Sequence, residues 1–93
     1  MQTSTLFLLQ ANFNQATQLL IQLKNMASPS DAVVLMSEAA LLVNHPDLAL
    51  YPLYVLKTEA ELLTSTIPDH VSVLDYDQLT DLLLQYSRCI SLK

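Results

Sequence analysis

Four short runs of apolar, strand-prone residues punctuate this 93-residue chain: Thr5-Leu-Phe-Leu-Leu9, Ala32-Val-Val-Leu-Met36, Leu53-Tyr-Val-Leu56 and Val71-Ser-Val-Leu74. Each is continuous rather than alternating. That pattern suits strands covered on both faces, as in a parallel sheet, and parallel strands need long connections between them. The intervals between the runs carry helical spacing. The order βαβαβαβα therefore predicts an α/β layer fold: a small open sheet of mainly parallel strands with flanking helices.

The clearest helix has Phe13, Ala16, Leu19, Leu20, Leu23 and Met26 on one face, with Asn12 as N-cap, Gln15 at capping-box spacing, and Ser28-Pro29 as the stop. After the second run, Ser37 is placed to cap a brief helix through Val43, which must end before His45-Pro46 because a residue preceding proline avoids helical dihedrals. Thr58 and Glu61 give a capping box for about two helical turns after the third run, ended by Ile67-Pro68-Asp69. Val71–Leu74 reads as a buried strand feeding directly into a helix capped by Asp75 and Gln78, whose Leu79, Leu82, Leu83 and Tyr86 face the sheet. Arg88 suits the negative end of that helix dipole. Two of the crossover helices are short, which predicts a thinly covered sheet face available to an interface.

A chain of this length supports one core, so residues 1–93 are expected to form a single domain. Hydrophobic residues make up 52% and charged residues 14%, against about 25% charged in ordinary domains. A small interior cannot hide that apolar excess, and a subunit interface is its expected destination. The net charge of −5, with Lys24, Lys57, Arg88 and Lys93 scattered, argues against binding a nucleic-acid backbone. Apolar runs such as Ala32–Met36 and Ala39–Val43 fall far short of the roughly 20 residues that span a bilayer. No signal peptide is read at the N-terminus, and the single Cys89 allows no intrachain disulfide; a cytoplasmic location is the expectation.

Chemistry is sparse. The chain has no glycine, and phosphate-cradling loops depend on glycine for positive φ and close approach. Open α/β sheets bind ligands beyond the carboxyl ends of their strands, which here supply Gln10, Ser37, Glu38, Lys57, Thr58, Asp75 and Tyr76. Those residues could line a polar pocket; alternatively Ser37, Thr58 and Asp75 are helix caps, which accounts for their positions without further assumptions. Cys89 could carry sulfur as a persulfide if a cation lowered its pKa, or could be a small filler packed with Ile90 and Leu92. His45 and His70 lie far apart and form no metal spacing. Tyr51, beside Pro52, is the tyrosine expected at the surface. No catalytic, cofactor-binding or metal residue is assigned.

The opening Ser4–Leu9 run, Ser30-Asp31 leading into Ala32–Met36, Leu53–Leu56 with its acidic short helix, and Val71–Leu74 with Asp75-Tyr76 and the terminal helix together resemble the DsrH/TusB family, small subunits of sulfur-relay complexes. The likeness covers nearly the whole chain. Asp31 and Leu74-Asp75-Tyr76 are its most specific parts. Family members commonly carry Gly-Asp before the second strand, Asp-Gly after it and a C-terminal tryptophan; this chain has Ser30-Asp31, Ser37-Glu38 and Ser91-Leu-Lys93.

The resemblance implies a small flavodoxin-like α/β fold and a noncatalytic structural subunit that assembles with TusC-like and TusD-like (DsrF-like and DsrE-like) partners into a heterohexamer. It implies a complex relaying persulfide sulfur toward 2-thiouridine at the tRNA wobble position, or serving dissimilatory sulfur metabolism. The active cysteine is expected on a partner, and Cys89 matches no family position. Two rival readings are a sulfurtransferase subunit using Cys89 and a small adaptor outside sulfur metabolism.

Overall fold

The computed structural model describes residues 4–10, 12–28, 30–49, 51–61, 67–68 and 70–92. Strands β1 (Thr5–Gln10), β2 (Ala32–Met36), β3 (Leu53–Leu56), β4 (Val71–Leu74) and β5 (Arg88–Leu92) form one sheet in the order β4-β3-β2-β1-β5, with every pair parallel. Four of them are the expected runs, β1 reaching one residue further. The fifth corrects the sequence reading. Arg88, expected beside a helix terminus, starts a strand that pairs with Thr5, and Cys89 pairs with Leu6.

Strands β1 to β4 step across the sheet in one direction, and only the last connection reverses to reach the far side of β1. When all crossovers share one hand, the early connections fall on one face and the last on the other. The packing follows that rule. Helix α1 (Phe13–Met26), the 3₁₀ segments Ser37–Leu42 and Pro46–Leu48, and the short helix α2 (Lys57–Ala60) join Phe7, Leu9, Val33, Leu35, Leu53 and Val55 in one large core. Among the described residues, helix α3 (Tyr76–Leu84) is the element that covers the opposite face, over Leu6, Ala32 and Val34.

A thin face therefore exists, for a different reason than expected. The short elements lie on the well-filled side, and the thin side is thin because it receives a single crossover. The stripe of α3 meets the sheet as predicted, with Leu82 buried and Leu79, Leu83 and Tyr86 half-buried. On α1, Leu19, Leu20 and Leu23 are buried while Met26 is exposed; the side chains of Phe13 and Ala16 lie outside the described set. As an edge strand β4 is less buried than expected, with Ser72 and Val73 exposed.

Local chemistry explains the element ends. Asn12 Oδ1 accepts from the Gln15 amide at 3.1 Å and starts α1. Asp75 and Gln78 complete a reciprocal box: Gln78 N donates to Asp75 Oδ1 at 2.8 Å, and Asp75 N donates to Gln78 Oε1 at 3.0 Å. The other two expected caps fail. Strands β2 and β3 run straight into their connections, so Met36 and Leu56 occupy the cap positions and no side chain caps either element. Residues 62–66, in the second half of the helix expected after Thr58, and Pro29 and Asp69 lie outside the described residues.

Asp31 is buried at the amino edge of the sheet, where Oδ1 accepts from Thr5 N at 2.8 Å and Oδ2 from Ser28 N at 2.9 Å. Both carboxylate oxygens thus meet backbone donors that the start of β1 and the end of α1 leave without ladder partners. Asp31, one of the two most specific parts of the sequence resemblance, is a clamp joining two elements.

Candidate functional site

The strand carboxyl ends gather some of the candidate residues and separate others. Lys57, Thr58, Asp75 and Tyr76 line a hollow of about 100 Å³ between the ends of β3 and β4, floored by Leu56 and Leu74. Gln10 ends β1 in register with Met36, and Glu38 lies in the 3₁₀ segment after β2; neither lines the hollow. The expected pocket forms only in part.

Most of its polar atoms already have structural work. Asp75 caps α3, and the Thr58 hydroxyl donates to Glu59 Oε2. The other Glu59 oxygen accepts from the Ser37 amide at 3.2 Å. Ser37 has φ 55°, the left-handed region that costs a non-glycine residue roughly 1 kcal/mol or more. Glu59 thereby ties the turn after β2 to the start of α2. Sequence reasoning missed it, because Glu59 looks like one more acid in a short acidic helix and its partner is a backbone group 22 positions away. What remains open to a ligand is an apolar floor with Lys57 and the exposed ring of Tyr76 at the rim.

Cys89 is exposed. It shares the α3 side of the sheet with its register partner Leu6, whereas Ile90 packs against the large core and Leu92 is buried in it. Alternation along β5 puts the thiol on the face opposite those two residues, which corrects the filler reading. Tyr51 is also corrected: it is buried, and Tyr76 is the most exposed aromatic among the described side chains. Tyr86 has its pKa raised above the usual 10.0, first by burial, then by neighbouring Tyr54 and Asp31, all of which favour the neutral phenol. Among the described residues no group of three His, Cys, Asp or Glu side chains could hold a metal ion. No helix among them is long and apolar enough to cross a membrane.

No protein-family model and no curated protein matches the sequence. Among solved structures, the crystal structure of YchN from E. coli matches over 99% of this chain and 100% of that one, with a TM-score of 0.63 and 14% identity. YchN has the DsrEFH-like fold. This chain shares that fold. At such low identity the likeness establishes architecture: a five-stranded, all-parallel α/β sheet with helices on both faces.

Proposed function

We propose that this chain is a noncatalytic structural subunit of a TusBCD- or DsrEFH-like sulfur-relay complex, supporting persulfide transfer toward 2-thiouridine at the tRNA wobble position. The observation that carries the reading is the end-to-end likeness to the DsrEFH-like fold of YchN, which meets an independent sequence resemblance to the DsrH/TusB family. The chemistry at the strand ends suits a scaffold. Asp75, Thr58 and Glu59 are committed to holding turns and helix starts, as the sequence reading of caps anticipated for Asp75.

Reconstitution tests it. The chain should co-elute in fixed stoichiometry with TusC-like and TusD-like subunits from the same host, and the complex should pass labelled sulfur from a TusA-like donor to a TusE-like acceptor. Failure to bind either subunit would overturn the reading. Cys89→Ser should leave the transfer rate unchanged.

The exposure of Cys89 on β5 favours a second reading, in which its thiolate attacks the terminal sulfur of a donor persulfide and takes that sulfur as the donor thiolate leaves. Abolition of sulfur transfer by Cys89→Ser, in a complex that still assembles, would establish this alternative.

A further inference from the structure

We infer that the outer surface of α3, together with the hollow at its amino end, is a docking surface for a basic amphipathic helix of a partner protein. Within this nine-residue helix Tyr76 is 63% exposed and Leu84 81% exposed. They stand eight positions apart, on one gently turning stripe of an α-helix. Between them lies Thr80, whose hydroxyl donates to the Tyr76 carbonyl at 3.0 Å. That hydrogen bond occupies the Thr80 hydroxyl, and the stripe Tyr76–Thr80–Leu84 carries no charge along its length.

The stripe leads somewhere. At its amino end the Tyr76 ring forms one wall of the leucine-floored hollow of about 100 Å³, a volume suited to one apolar side chain. An exposed leucine alone would mean little. An uncharged row with an aromatic ring at one end and a leucine at the other, running about 12 Å toward a hollow, offers a partner two anchor points and a place for one buried side chain.

Charge selects the occupant. Asp77 and Asp81, one helical turn apart and both exposed, run along the solvent side of the stripe, and α3 contains no basic residue. A second copy docked helix to helix would bring acid against acid. An anionic lipid surface would be repelled in the same way. Lysines or arginines flanking an apolar row complement the ridge, and the spacing asks for about two helical turns with one apolar anchor at the end nearest Lys57. Lys57 on the rim disfavours a cation at that anchor. This inference stands on the helix itself and survives if the sulfur-relay reading fails.

The test uses the full chain, isotopically labelled, and two synthetic 16-residue helical peptides with the same leucine face, one flanked by lysines and the other by glutamates. The lysine peptide should bind, shifting amides of α3 and the ends of β3 and β4. Leu84→Glu should weaken it roughly tenfold or more, the loss of a hot-spot contact. Asp77→Lys with Asp81→Lys should switch preference to the glutamate peptide. Ile21→Glu, at an exposed apolar position on α1, should change nothing. Equal binding of both peptides, no binding, or perturbation centred on α1 would overturn the proposal. So would a change in the sedimentation of the chain alone on Leu84→Glu, which would make a second copy the occupant, or capture of α3 by phosphatidylglycerol vesicles.

Discussion

The two faces of the sheet are built from the same five strands and differ in what lies over them. Among the described residues, seventeen buried side chains make up the core on the α1 side and four make up the core on the α3 side, so the first face is sealed and the second is held by one stripe of one helix. The difference comes from topology rather than composition. Three connections step in one direction and one steps back, and a face receiving one crossover has one helix to cover it. An apolar excess legible in the sequence is therefore disposed of unevenly: most is buried under α1, and part is left half-exposed around α3.

The sharpest way to break that comparison is a matched pair of truncations. Leu35→Ala on the sealed face should cost about 3–4 kcal/mol, because its well-packed neighbours cannot collapse into the cavity. Leu82→Ala under α3 should cost about 2 kcal/mol, since the surrounding half-buried side chains can relax. Equal losses in denaturant unfolding would mean that the thin face is as tightly packed as the other.

Asp31→Ala comes next, at about 2 kcal/mol, because the buried Thr5 amide and the part-buried Ser28 amide both lose a charged acceptor. The same titration measures it, with protection of the Thr5 amide from hydrogen exchange as a local readout. A fourth variant probes α3, the support of the thin face among the described residues. Asp75→Ala removes one half of the reciprocal cap and should lower stability by about 1 kcal/mol, with α3 amides exchanging faster while those of α1 keep their rates.

The smallest effect on stability is expected from Leu84→Glu, within about 0.5 kcal/mol, because the side chain already faces water. A large loss would show that α3 is supported through its outer stripe. Titration of Tyr86 supplies a further handle. Its folded-state pKa is raised, so below pH 10.0 both folded and unfolded chains hold the proton; as pH rises past that value the unfolded chain loses it first and stability falls. Tyr86→Phe should make that alkaline decline shallower, as followed by thermal unfolding between pH 9 and roughly 11.

How much of this was readable in advance follows from how local each signal is. The strands β2, β3 and β4, the extent of α1 and the Asp75/Gln78 box are written in consecutive residues, and all appear where periodicity and capping place them. Strand β5 escaped because Arg88-Cys-Ile-Ser-Leu92 is short and mixed, and its pairing with β1 depends on residues at the other end of the sequence. Thr58 failed as a cap because β3 passes into α2 without a loop, leaving the cap position to Leu56. At the candidate site, Lys57, Thr58, Asp75 and Tyr76 were found by the rule that strand ends carry sites, whereas Leu56, Leu74 and Glu59 required the fold to bring them there.

The placement of β5 also governs how the chain must be assembled. Strand β1 is made early, yet its second edge stays bare until residues 88–92 exist, so the sheet cannot be completed by any sequence of purely neighbouring pairings. Closing so long a loop costs little more than closing a shorter one, since each doubling adds only about 0.6 kcal/mol. The burden falls on rate: parallel pairing between distant segments belongs to the slow end of small-domain folding. During that wait the apolar edge of β1 is open to strands of other chains, and a strand supplied by a neighbour in a crowded cell would compete with the chain's own β5.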